Sequence, residues 1–154
     1  MSFQLVDMER AFIDGDALYC GEAAGLLNGQ LVWSNATGVV KKTGAGSAPH
    51  VHGFAYSRRT NVYRPTSVTI PLDEKMNIVR GAGQTRVDST LFVEAALPAV
   101  NARIFAGAGG LMTVTAGTNQ AIGRCTRIDA VNNYIGIGTF ANQAVIEFYF
   151  TPLT

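Results

Sequence analysis

Residues Ala99 to Thr139, AVNARIFAGAGGLMTVTAGTNQAIGRCTRIDAVNNYIGIGT, decide the fold class. Four apolar or β-branched runs stand out: Ala102–Phe105, Leu111–Thr115, Ile122–Ile128 and Tyr134–Ile137. Turn chemistry separates them, in Gly107–Gly110, Gly117–Asn119 and Asp129–Asn133. Short strands at a spacing of roughly 8–12 residues with Gly and Asn punctuation describe an all-β sandwich or barrel. No residue in this stretch has the neighbours that a catalytic centre needs.

Downstream, Ala144–Phe150 reads as a terminal strand whose Ile146, Phe148 and Phe150 form the more apolar face. Upstream, short strands are expected at Ala17–Cys20, Gln30–Ser34, Val39–Lys42, Ser67–Pro71 and Asn77–Arg80. Asn28-Gly29 is a hairpin signal, and Asn35–Gly38 reads as a further turn. Val87–Ala96 fits a strand or a short helix, because its apolar run is too short for periodicity to separate the two. The single tryptophan, Trp33, falls in a strand, as a core residue or an interface anchor. The segment 1–12 is either a first strand or an arm that lies on another subunit, since apolar termini tend to be tied down. A single β-domain over 13–154 accounts for the remainder.

The chain has 154 residues, enough for one modest core. Only 15% are charged, against about 25% in ordinary domains. So few charges are expected to leave apolar surface for a partner to cover. The net charge is +1, which gives no global attraction to nucleic acid or membrane. The charge is unevenly placed: Asp7, Glu9, Asp14, Asp16 and Glu22 lie early, and Lys41, Lys42, Arg58, Arg59, Arg64, Lys75, Arg80 and Arg86 lie in the middle. The first residues have neither a basic n-region nor an apolar h-region, so no signal peptide is expected. Two widely separated cysteines, Cys20 and Cys125, do not make a disulfide framework and fit buried small hydrophobes in a reduced compartment.

The candidate chemistry is thin. His50 and His52 would share one side of a strand, but no third ligand lies near them, so no metal is expected. The glycine clusters 81–83 and 107–110 neither open a helix nor precede Lys-Ser/Thr, so they are turns rather than phosphate loops. Asp14/Asp16 and Asp73/Glu74 show no cleft arrangement of the kind that acid–base catalysis uses. Arg58, Arg59 and Arg64, interleaved with Tyr56 and Tyr63, have the composition of a protein–protein contact. Direct nucleic-acid binding is not expected without a wider basic footprint. The reading is therefore a chain without catalytic, metal-binding or cofactor-binding residues. Its contact residues are expected to be Phe3, Leu5, Met8 and Phe12 in the N-terminal segment together with Arg58, Arg59 and Arg64.

Several short pieces resemble the head decoration, or capsid cement, proteins of tailed bacteriophages. They are Ala102–Phe105, Gly109–Thr113, Gly117–Asn119, Ala121–Arg124 and Tyr134–Ile137, and more loosely Asp14–Asp16, Gly29–Val32 and Gly53–Tyr56. Those proteins are usually shorter, and the basic region Arg58–Arg86 departs from their pattern. The resemblance implies a small β-barrel or β-sandwich with an extended N-terminal arm, made in the host cytoplasm and carried on the outer surface of the virion head. It implies a structural role, bridging major capsid protein subunits and stabilising the shell, and self-association as a homotrimer or a dimer. It supplies no catalytic residue and no cofactor. Outside that resemblance, a phage tail or baseplate β-module and a small ligand-binding barrel use the same strand pattern.

Overall fold

The computed structural model describes residues 3–7, 11–14, 17–44, 46, 49–59, 68–81, 85–89, 91–132 and 140–148. All of the regular structure among them is β apart from one 3₁₀ turn at Ala108–Gly110, and none of the sheets closes into a barrel. The fold is a sandwich-like stack, and of the two expected architectures the barrel is set aside.

Among the described residues fourteen strands run in order: β1 Phe3–Asp7, β2 Ala11–Asp14, β3 Tyr19–Cys20, β4 Leu26–Leu27, β5 Leu31–Ser34, β6 Val39–Lys42, β7 Gly53–Ser57, β8 Thr69–Ile70, β9 Met76–Gly81, β10 Thr85–Ser89, β11 Arg103–Ala106, β12 Met112–Thr113, β13 Ala121–Asn132 and β14 Phe140–Phe148. One six-stranded sheet has the order β1-β10-β14-β13-β11-β12, and the other β2-β9-β7-β5-β6-β3. A two-stranded sheet, β4-β8, stands apart.

Strand alternation builds two cores. In β5, Leu31 joins a cluster with Phe54, Tyr56, Val79, Ile104, Met112, Ile122 and Cys125, which draws on both large sheets. Its neighbour Val32 points the other way, into a cluster with Cys20, Leu26, Val40, Ala55, Ile70, Met76 and Ile78. That second cluster joins the far face of the β7 sheet to the β4-β8 pair. With side chains alternating at period 2, a strand covered on both faces must be apolar throughout. β7, GFAYS, is covered in this way, with all five of its residues buried and Ser57 the one polar side chain without an apolar body. Both cysteines lie in these cores as free thiols.

The N-terminal segment takes the first-strand alternative. β1 pairs antiparallel with β10, and β2 pairs antiparallel with β9. β1 and β10 thus pair in one large sheet, and β2 and β9 pair in the other. β2 also crosses the expected division at residues 12 and 13. Removing residues 1–12 would therefore strip an edge strand from one sheet and half of another from the second.

Register places charges in a row across the first sheet: Asp7 opposite Arg86, Arg86 opposite Glu147, Glu147 opposite Arg124, and Arg124 opposite Arg103. Opposite signs at facing positions favour a register by ~0.2–1 kcal/mol per pair. At the end of the row the like-charged Arg103 sits over the Phe105 ring, 5.6 Å from its centroid.

Two turns depart from expectation. Asn28-Gly29 does not close a hairpin, because β4 and β5 lie in different sheets. It forms a turn in which Gln30 N–H donates to Leu27 O at 3.1 Å and Gly29 takes φ +90°, the left-handed value a type II turn needs at its third residue. Asp129–Asn132 is not a turn but part of the twelve-residue β13, paired with β14 as far as Asn132↔Phe140. Tyr134–Ile137 lies outside the described residues, as does the facing of Ile146, Phe148 and Phe150. By contrast, Asn35–Gly38 closes the β5–β6 hairpin as expected, with Asn35 Oδ1 accepting from Thr37 N–H and Val39 N–H, each at 3.0 Å.

Gly53 sets the closeness of β7 and β9. A Cβ there would lie 2.7 Å from Ile78 Cγ2 and nearer still to the Val79 carbonyl oxygen. The backbone oxygen cannot swing away without breaking the ladder. Gly53→Ala is expected to cost ~1–3 kcal/mol, as overpacking does, which a denaturant midpoint at unchanged m-value would measure.

Candidate interaction surface

Phe3 and Leu5 occupy β1 at register positions opposite Ser89 and Val87, and Phe12 occupies β2 opposite Arg80. Met8 and Arg64 lie outside the described residues. Arg58 and Arg59 form the exposed turn after β7. Arg58 Nε donates to Asn77 Oδ1 at 3.1 Å. Arg59 Nε meets Glu74 Oε1 at 2.7 Å, and its other guanidinium nitrogen reaches Thr69 O at 3.4 Å. Both arginines thus brace the start of β9. With the Arg59 side chain 57% exposed, that ion pair is solvent-screened and contributes little.

The two histidines do not act as a pair. They precede β7 rather than sharing a strand. His50 Nδ1 lies 3.3 Å from Gln120 Oε1, whereas His52 Nδ1 accepts from Ser34 N–H at 3.0 Å. Among the described residues no three His, Cys, Asp or Glu side chains gather into a metal-binding group. Among them also, no helix is long and apolar enough to cross a membrane. Trp33 is half-buried at the end of β5, between its two expected roles.

Of the four exposed large apolar side chains among the described residues, Leu72 stands alone, and Val93, Val100 and Val114 lie on the irregular segment Leu91–Ala102 and just beyond β12. The chain there is LFVEAALPAVNA, with one charge in twelve residues. Leu91 and Phe92 are buried and anchor the segment: Met112 N–H donates to Leu91 O at 2.8 Å, and Phe92 bridges to Met112. Val93 N–H then donates to Met112 O at 2.8 Å, yet its side chain is 51% exposed. Val114 beyond β12 is 41% exposed and Val100 is 51% exposed. Of the expected strand or helix at Val87–Ala96, residues 87–89 belong to β10, and residues 93–96 form bends.

Glu94 sits between Val93 and Val114 in this surface. Its Oε1 accepts from Thr113 Oγ1 and from Val114 N–H. Burial by itself raises the pKa of this carboxyl, but the bonds from Thr113, its own amide, Val114 and Thr115 outweigh that and hold it below the usual carboxylate value. Glu94 Oε2 is shielded and has no hydrogen-bond partner among the described residues. A depressed folded-state pKa stabilises the fold above the unfolded value, and that contribution is lost as pH falls through the folded value. Glu94→Gln is therefore expected to lower stability at neutral pH and to flatten the acid limb of the stability–pH curve, so that variant and parent converge at low pH, as read by thermal melts from neutral to acidic pH.

The patterning that placed Val93, Val100 and Val114 in the sequence is the same as that of core valines. Only the low charge of 91–102 marked them as different. No protein family matches this chain, and neither a curated protein nor a solved structure matches it significantly.

Proposed function

We propose that this chain is a structural protein of a phage virion that binds the outer surface of the head and bridges major capsid protein subunits. The observation that carries the reading is the exposed, nearly uncharged surface of Val93, Val114 and the 95–100 segment on a rigidly anchored β framework. Apolar surface presented on buried anchors is what a protein partner covers. A central apolar contact with one shielded carboxylate oxygen resembles the core of a specific interface, where aromatic and aliphatic groups dominate and charge is sparse. The resemblance in residues 102–137 supplies the kind of partner, and the surface supplies the means. Many copies, each burying a patch of about 1,600 Å², would resist rupture of the shell without any reaction. Self-association as a trimer or a dimer fits the same economy, since one copy can touch both a neighbour and the shell.

Co-sedimentation of the purified protein with DNA-filled heads that lack it tests this reading. Saturable binding at a fixed ratio to capsid subunits is the expected result. Absence of binding to mature heads would transfer the chain to the tail-module class, which light scattering recognises as a ring-sized oligomer.

A further inference from the structure

We propose that Asn28-Gly29 is a deamidation site that the fold holds closed, so that only chains with this turn open are modified. It is the one Asn-Gly pair in the sequence. This pair is chemically labile because glycine has no side chain to hinder attack by its own amide nitrogen. The Gly29 nitrogen bonds to Asn28 Cγ, the carboxamide C–N bond breaks, and ammonia leaves with the transferred proton. Water then opens the resulting five-membered imide at either carbonyl, giving Asp or isoAsp. The net change is addition of one water and loss of one ammonia, and solvent supplies the only co-reactant.

The structure restrains both reacting groups. Asn28 is buried, 2% exposed, and its Oδ1 accepts from the Ser57 N–H at 2.7 Å. The attacking nitrogen of Gly29 is itself engaged, donating to Ala55 O at 2.7 Å. Asn28 N–H donates to Val68 O at 2.9 Å, and Gln30 N–H closes the turn on Leu27 O at 3.1 Å. Leu27 N–H is held in turn by Gln30 Oε1 at 2.8 Å. Ring closure needs the Asn28 side chain to leave Ser57 and the Gly29 nitrogen to leave Ala55. Both partners belong to β7, the strand buried along its whole length. The turn therefore opens only with the joint between β4, β5 and β7.

The product matters as much as the rate. In isoAsp the main chain runs through the former side-chain carbon and gains one backbone atom. The group that accepted from Ser57 N–H then becomes part of the backbone, and a charged carboxylate is added at a buried turn. Such a chain cannot rebuild the turn. The pair thus acts as a one-way chemical mark on chains that remain unfolded, and it makes prolonged unfolding irreversible in the kinetic sense.

The test uses the full chain at mildly alkaline pH, in buffer and in concentrated guanidinium chloride. Peptide mapping by mass spectrometry follows loss of ammonia at residue 28, and chromatography separates Asp from isoAsp. Conversion is expected to be at least about a hundredfold faster in denaturant, because native chains must first open locally. Equal rates in the two conditions would overturn the protection. Chains carrying isoAsp and unmodified chains are then separated from the same aged sample and diluted from denaturant, with Trp33 fluorescence as the readout. Unmodified chains should recover native emission and isoAsp chains should not. Full recovery by the isoAsp chains would overturn the irreversible mark.

Discussion

Replacing Val93 and Val114 together by Asp is expected to abolish saturable binding to capsid heads while leaving the fold in place. Both side chains are close to half exposed, at 51% and 41%, so neither change opens a cavity. Surface substitutions of this kind usually alter stability by no more than ~0.5 kcal/mol. At an interface centre, by contrast, truncating one anchor costs ~2 kcal/mol or more, and two buried carboxylates add their own desolvation. Affinity should fall by at least about a hundredfold, since each ~1.4 kcal/mol is tenfold. The comparison is co-sedimentation of the double variant against the parent, with the melting curve of each. A double variant that binds heads as the parent does would remove this surface from the account. Arg58→Ala and Arg59→Ala serve as the contrast. Their side chains are engaged with Asn77 on β9 and with Glu74 just before it, and they should change binding less than the valines do.

The second large effect is on stability. Phe54 is fully buried in β7 and belongs to the core shared by the two large sheets, together with Leu31, Val79, Ile104 and Met112. Phe54→Ala should cost ~3–5 kcal/mol, the transfer of the ring plus the cavity it leaves. Total stability for a domain is only ~5–15 kcal/mol, so this single change should bring the chain near its unfolding midpoint at modest denaturant. Chemical denaturation followed by Trp33 emission measures it. Leu72→Ala is the control, because Leu72 is also a large apolar residue but is 47% exposed. It should move the midpoint little. Equal effects at the two positions would mean that the core does not lie between the sheets as described.

The all-β class was legible because turn chemistry is local. Asn35 caps its own turn through its side chain, and Val39–Lys42 falls on β6 without adjustment. What was not legible depends on distant pairing. Asp129 and Asn132 favour turns in isolation, yet β14 continues opposite them, and cross-strand pairing overrides local preference. Asn28-Gly29 makes the turn its residues favour, but the strands on either side find different partners, β8 for one and β7 for the other. The pairing of β1 with β10 and of β2 with β9 in different sheets depends on register between distant stretches, which nothing nearby in the chain encodes.

The candidate surface was hidden for a related reason. Val93 and Val114 have the same chemistry as Val32 and Val79, and only the layers laid over them differ. The arginines attracted attention because charge is conspicuous in a chain with so little of it. In the structure Arg59 is spent on Glu74 and Thr69 O, bracing the β7–β9 connection. The low overall charge was the more informative signal, and its local minimum between Leu91 and Ala102 coincides with the exposed apolar segment.

The central claim is that the 91–102 segment and the end of β12 meet the capsid. Hydrogen–deuterium exchange of the protein bound to heads, compared with the free protein, tests it most directly. The expected result is new protection of amides in 93–101 and 114–116, with the β5–β6 hairpin unchanged. Protection confined to the hairpin or to the Arg58-Arg59 turn, with residues 93–101 exchanging as in the free protein, would contradict it.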